Sequence, residues 1–156
     1  MKPLDATDKR ILVLLQENAH YTNKEIAARL GMSTTPVYER IKRLEEQGYI
    51  QRYTALLDAH KLGYHLVAYC NVQLKEHAQG YLQQFETEVQ SLAEVVECYH
   101  IAGMFDYLLK VVVRDMASYQ DFIVNKLAAL DNIGNVQSSF VMTQVKLASG
   151  LPLLQR

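Results

Sequence analysis

The sequence lacks most of the features that would mark out a specialised class. It has almost no net charge, with 16 Lys/Arg against 17 Asp/Glu, so no global basic field announces nucleic acid. No stretch reaches the roughly 18 consecutive apolar residues of a membrane-spanning helix. The N-terminus lacks a charged-then-apolar leader, which makes the cytoplasm the expected location. Cysteine is scarce: Cys70 and Cys98 are too few for a zinc site or a disulfide framework, and their apolar, strand-like settings predict buried thiols. The five histidines stand at positions 20, 60, 65, 77 and 100. None is three or four residues from another histidine or from a cysteine, so neither a metal site nor a cofactor is expected. There is no glycine-rich phosphate loop and no nucleophile–base pair with local spacing, which leaves little for catalysis. Repeats and low-complexity segments are also missing.

What is present falls into two grammars. With 156 residues, 49% of them apolar, the chain has room for one ordinary domain or two small ones. Up to His60 it carries nine Lys/Arg against eight Asp/Glu, and after it seven against nine. DNA affinity would therefore have to come from local placement of charge.

The front half reads as helices. Leu4 to about Asn18 has a core face of Leu4, Ile11, Leu12 and Leu15, with Asp5, Thr7 or Asp8 available at its N-terminus. Thr22-Asn23-Lys24-Glu25 fits a capping box. Ile26, Ala27 and Leu30 follow at helical spacing, and Gly31 supplies a left-handed stop. After Met32, any of Ser33, Thr34 and Thr35 can cap the next helix, with Pro36 in its first turn. Val37, Ile41 and Leu44 form one stripe, and Gly48 closes the helix. At about 100° per residue, Thr35, Glu39, Lys42, Arg43 and Glu46 fall opposite that stripe, with Tyr38 and Arg40 on its flanks.

Two short helices joined by a turn of about three residues is the helix-turn-helix pattern, which needs the first helix as a third packing partner. Ser33, Thr34 and Thr35 are placed to donate to phosphate at a helix N-terminus, where the dipole also favours anions. Arg40, Lys42 and Arg43 are long enough for phosphates or guanine edges, and Thr35 and Tyr38 are the candidates for base edges. The competing reading is an ordinary amphipathic hairpin whose cations pair with Glu39, Glu45 and Glu46.

Tyr49 to Leu57 is β-prone and suits a wing or a strand leaving the domain, with Asp58 to Gly63 as the rest of a linker. From Tyr64 the pattern changes. Leu66, Ala68, Cys70, Val72 and Leu74 alternate with more polar neighbours as a half-buried strand. A helix from Ala78 to about Ser91 should bury Tyr81, Leu82, Phe85 and Val89. Strands over Val95–Ala102 and Tyr107–Arg114 flank the loop Gly103-Met104-Phe105-Asp106. A second helix should bury Met116, Tyr119, Phe122, Ile123, Leu127 and Leu130, and a last strand runs from Val136 to Lys146. The order β-α-β-β-α-β is the ferredoxin-like split unit. Its uncovered sheet face keeps apolar residues such as Val67 and Tyr69, which predicts a dimer. Leu151-Pro152-Leu153-Leu154 reads as a tail that docks on a neighbouring subunit or is loosely held.

Taken in order, the motifs resemble the Lrp/AsnC (feast/famine) family of transcription regulators over essentially the whole chain. The resemblance rests on Leu4-Asp5 with Asp8 and Ile11-Leu12, Thr22-Asn23 with Glu25-Ile26-Ala27, and Ser33 with Pro36-Val37. It continues through Arg40-Ile41-Lys42 with Leu44-Glu45, Gly48-Tyr49-Ile50 and Tyr53-Thr54-Ala55. In the second half it rests on Gly103 followed by Asp106-Tyr107-Leu108-Leu109-Lys110, and on Ser138-Ser139-Phe140-Val141-Met142.

The resemblance implies an α+β protein. A winged helix-turn-helix (1–49) would be joined through a β-strand wing or linker (50–63) to a ferredoxin-like effector-binding and oligomerisation domain (64–150), with a tail at 151–156. It implies double-stranded DNA as partner, contacted through Ser33, Thr34, Thr35, Pro36, Tyr38, Arg40, Lys42 and Arg43. It also implies homodimers, often four to an octamer, and a small amino-acid effector held between dimers. Gly103, Met104, Phe105 and Asp106 would form one wall of that pocket, with Ser138 and Phe140 facing it. Leucine-responsive members carry Asp directly after the glycine where this chain has Met104, and a thioether cannot hold an ammonium as a carboxylate does. The alternatives are an architectural DNA-binding protein that ignores small molecules, and an enzyme like the tetrapyrrole decarboxylases that share the architecture.

Overall fold

The computed structural model describes residues 3–147 and 150–153. They form two compact units, one of residues 3–56 with the described residues after 145, the other of residues 57–145.

In the first unit α1 (Ala6–Glu17), α2 (Asn23–Leu30) and α3 (Thr34–Glu46) close on Ile11, Leu12, Ile26, Ala27, Val37, Ile41 and Leu44. Both leading helices start on capping boxes. Thr22 Oγ1 accepts from the Glu25 amide at 3.2 Å, and Glu25 returns a carboxylate oxygen to the Thr22 amide at 2.7 Å. In α1 the same box is built from two aspartates, Asp5 and Asp8. Gly31 ends α2 at φ 66°, a conformation that side chains with a Cβ resist.

Asp8 is also the centre of an ion cluster. Its side chain is 1% exposed, and its Oδ1 accepts from Arg40 Nη1 at 2.7 Å and from Arg43 Nη2 at 2.6 Å. Arg40 Nη1 reaches Asp5 Oδ2 as well, at 2.6 Å. Four charges thus tie the first turn of α1 to the middle of α3.

Tyr49–Leu57 forms no strand, contrary to the wing expected from its composition. A strand needs a ladder partner, and among the described residues of the single chain none pairs with this segment. The segment is held instead by Tyr53, whose hydroxyl donates to Glu45 at 2.8 Å. Burial and that carboxylate push the phenol up to about 12. The described part of the tail lies on this same unit within the chain. The Gln16 side-chain amide donates to the Leu151 carbonyl at 3.3 Å and accepts from the Leu151 amide at 2.5 Å, and Leu153 packs on the helical core. Leu154 and the two residues after it lie outside the described residues.

The second unit has strands β1 (Leu66–Leu74), β2 (Val95–His100), β3 (Tyr107–Val113) and β4 (Ile133–Phe140) in an antiparallel sheet of order β2-β3-β1-β4. Helices α4 (Gln79–Gln90) and α5 (Met116–Asp121) lie between strands in the βαββαβ order, and α5 continues into a π-helical stretch over Phe122–Leu127. Ala68, Cys70, Val72, Leu109 and Val111 meet Phe85, Val89, Tyr119, Phe122 and Leu127 in the core.

Several side chains depart from expectation. Tyr81 and Met116 are exposed. Each lies in the first turn of its helix. Cys98 is exposed because β2 is the edge strand, whereas Cys70 lies under α5 against the Tyr119 hydroxyl at 3.1 Å. Burial raises the Cys70 thiol. β4 starts earlier and ends sooner than expected. It pairs with β1 as far as Phe140 against Ala68, and Val141 still donates to Val67. In that register the partners from residue 143 onward would precede Leu66, close to where the chain turns at Gly63, φ 83°.

The ion cluster makes a quantitative expectation. Asp8→Asn strands two arginines that are each about three-quarters buried. It should cost roughly 2–3 kcal/mol in urea unfolding, between a charged hydrogen bond lost and a buried pair broken. Asp5→Asn, at a carboxylate 45% exposed, should cost well under that. Equal losses would show that burial of Asp8 is not what matters.

Acid should unfold the chain through its other carboxylates. Asp5, Glu25 and Asp115 are held below their usual values by backbone amides, Glu94 by Lys126 and Glu97 by Lys110. A depressed value in the folded state means the stabilisation is complete above the unfolded values of 3.8 and 4.5 and is lost as pH falls through the folded ones. Stability measured against pH should therefore be flat from neutrality down to about 5 and fall below it.

Candidate nucleic-acid interface and effector loop

The exposed end of the helix-turn-helix is the start of α3. Ser33 takes the N-cap position with extended backbone, but its side chain makes no cap hydrogen bond, and no acid stands in the first turn. The contrast with α1 and α2, each with a carboxylate in its first turn, is chemical. Among the described residues no cap side chain or first-turn acid answers the free amide hydrogens and the positive end of the α3 dipole. Ser33, Thr34 and Thr35 are all exposed around that terminus, Pro36 is half-buried, and Tyr38 one turn on is 52% exposed.

The three cations divide. Lys42 is exposed, and among the described residues its one ionic neighbour is Glu46, at 3.8 Å on its own helix. Arg40 and Arg43, expected to point outward, turn onto Asp8 and Asp5. The reason is desolvation: a carboxylate removed from water must be met by hydrogen-bonded cations, and these two long side chains on the flank of α3 lie within reach. Asp8 is thus a residue that organises the site without lying on it. Its signal in the sequence is slight, an acid three residues after Asp5 and three before the core residue Ile11.

In the sheet unit the loop between β2 and β3 is built around Asp106. Its amide donates to the Val72 carbonyl at 2.9 Å, its Oδ2 accepts the Leu74 amide at 2.8 Å, and both carboxylate oxygens are 3.1 Å from His77 Nε2. Asp106 therefore pins the loop to the end of β1. Gly103 has φ 152°, Phe105 is half-buried, and Met104 is 81% exposed at the tip. His100 stacks on Tyr107, with ring centroids 4.7 Å apart.

Ser138 and Phe140 do not meet this loop within the chain. They pair with Cys70 and Ala68, well along β1 from Val72 and Leu74 where the loop is fastened. Ser138 accepts from the Tyr119 hydroxyl, and the Phe140 ring meets the Tyr119 ring edge-on at 5.0 Å.

Comparison with known proteins matches each unit separately. The winged helix-turn-helix DNA-binding model covers residues 4–51, and the Lrp/AsnC ligand binding domain model covers residues 67–151. The leucine-responsive regulatory protein of Escherichia coli K12 is 40% identical over 155 residues, 99% of this chain and 94% of that protein. The transcriptional regulator of Neisseria meningitidis solved as its L-Met complex superposes with a TM-score of 0.93 at 34% identity, covering 97% of both chains. An AsnC family regulator from Agrobacterium tumefaciens superposes at 0.91 with 38% identity, covering 96% of this chain and 97% of that one. With a helix-turn-helix whose second helix is open at its N-terminus, a βαββαβ domain behind it and relatives that span the whole chain, this protein belongs to the Lrp/AsnC family of DNA-binding transcription regulators.

Proposed function

We propose that the chain is a sequence-specific regulator of amino-acid-related genes. On this reading α3 is laid on operator DNA by its N-terminal half and modulated by a small amino acid bound between dimers. The observation that carries the DNA reading is the uncapped, acid-free start of α3 ringed by three exposed hydroxyl residues. Ser33 and Thr34 donate to a phosphate seated at that terminus. Thr35 and Tyr38 read base edges, and Pro36 shapes the turn. Lys42 is the free phosphate cation. Arg40 and Arg43 set the pitch of α3 against α1 and meet the DNA backbone only through the guanidinium edges that Asp8 leaves open. The protein works by binding, in the cytoplasm.

Dimers form through the uncovered sheet face, where Val67, Tyr69, Leu108 and Val112 stand half-buried and Tyr99 exposed in the single chain. Assembly of dimers into an octamer brings Gly103, Met104, Phe105 and Asp106 of one copy to Ser138 and Phe140 of another. With Asp106 engaged on Leu74 and His77, the exposed Met104 gives the wall an apolar character suited to an aliphatic or thioether amino acid.

Thr35→Glu separates binding from folding. An acid in the first turn of α3 should leave stability unchanged or raise it by about 0.3–1 kcal/mol. The same acid faces phosphate, and operator affinity should fall at least tenfold, about 1.4 kcal/mol. Affinity that survives Thr35→Glu would place the interface elsewhere. Lys42→Ala should lower the slope of log affinity against log salt by about one unit with no change in melting temperature.

The effector is tested by thermal unfolding with each amino acid in turn. A ligand at about 100 times its dissociation constant adds about 2.7 kcal/mol to the native state. A shift with leucine, methionine or a similar apolar amino acid supports the sensing role. No shift with any of them would make this an effector-independent DNA-binding protein.

A further inference from the structure

The segment that opens the sheet unit brings together two histidines that local spacing does not pair. His60–Leu62 is one turn of 3-10 helix closed by Gly63 in the left-handed conformation, φ 83°. The turn is tightly hydrogen-bonded. Asp58 Oδ1 accepts the Lys61 amide at 3.1 Å, and the Ala59 carbonyl accepts the Leu62 and Tyr64 amides at 3.1 and 2.9 Å. His60 O accepts the Gly63 amide at 3.0 Å, and the His65 amide is fastened to the Arg114 carbonyl at 3.3 Å. The chain reverses, and residues five apart face each other. The two Nδ1 atoms stand 3.1 Å apart with ring centroids at 5.3 Å and planes tilted by 52°. Both residues are exposed, and among the described residues neither Nδ1 has another hydrogen-bond partner.

Two imidazole nitrogens at this distance share one proton, because bare lone pairs would repel. That is also the separation of two imidazoles on one metal ion. With metal–nitrogen bonds of about 2.0–2.1 Å, two ligands of a tetrahedral centre stand about 3.3–3.4 Å apart, and two adjacent ligands at a right angle about 2.9 Å. The observed 3.1 Å lies between, so neither ring has to travel more than a few tenths of an ångström. We propose that His60 and His65 form a two-nitrogen chelate for a borderline divalent transition ion (Zn2+, Ni2+ or Cu2+), set where the chain enters the sheet unit. Oxygen-seeking Mg2+ and Ca2+ are poor fits for two imidazoles. On binding, the shared proton leaves Nδ1 of the donating ring and that ring takes the Nε2–H tautomer, so no proton need be lost overall. Among the described residues no third metal-ligating side chain joins the pair, and water fills the remaining positions. Occupancy ties the start of β1 to the turn before it, stiffening the segment that follows the division between the units at residues 56 and 57.

The test titrates Zn2+ and Ni2+ separately into the full chain, with calorimetry for stoichiometry and ring-nitrogen NMR for the ligands. Expected are one ion per chain, Nδ1 signals of His60 and His65 that move together, and unmoved signals for His20, His77 and His100. His60→Gln and His65→Gln should each weaken binding at least tenfold, while His20→Gln leaves it unchanged. Binding that persists in either chelate variant, or metal addition that moves no Nδ1 signal of the pair, would overturn the assignment. The NMR reading on the unmodified chain stands even if a variant folds poorly.

Discussion

A carboxylate taken out of water has to be answered by cations, and Asp8 is answered by two. The apolar contacts among Ile11, Leu12, Val37, Ile41 and Leu44 hold α1 and α3 together, but hydrophobic burial is non-directional and tolerates rotation of one helix against the other. Charged hydrogen bonds of 2.6–2.7 Å from Arg40 and Arg43 to a single oxygen do not. They set the angle at which α3 leaves the core, and so the direction in which its open N-terminus points. The capping box shared with Asp5 makes the same carboxylate the start of α1. Helix initiation and recognition-helix placement thus hang on one side chain.

That arrangement explains where reading the sequence succeeds and where it stops. Local signals are carried faithfully. The Thr22 box, the Gly31 stop, the Val37-Ile41-Leu44 stripe and the alternation along β1 all act within a few residues, and all are where periodicity and capping chemistry place them. The βαββαβ order follows from such local signals in series. Arg40 and Arg43 looked outward because their partners lie 32 to 35 residues away, beyond any helical repeat. The β propensity of Tyr49–Leu57 is real but needs a second strand, which one chain does not provide. Cys98 has the composition of a core residue and the position of an edge residue, and only the strand order distinguishes the two. His60 and His65 escape a filter tuned to helices, since a 3-10 turn and a left-handed glycine bring together residues five apart.

The sheet unit divides its labour similarly. Asp106 fastens the loop to β1 through the Leu74 amide, while Met104 stands exposed at its tip. Ser138 and Phe140 are tied to Tyr119, and through it to Cys70, so this end of β4 is continuous with the core of its own domain.

The closing segment of the chain carries a consequence for synthesis. Gln16 uses both ends of its amide on Leu151, and Leu153 packs beside the same helices, so the helical unit is completed by residues made only after the whole sheet unit. On a ribosome adding about 5–20 residues per second, α1 to α3 emerge seconds before that segment exists. In that interval the nascent helices carry the start of α3 but not the cover over Gln16, and the growing polypeptide meets other macromolecules in this unfinished form.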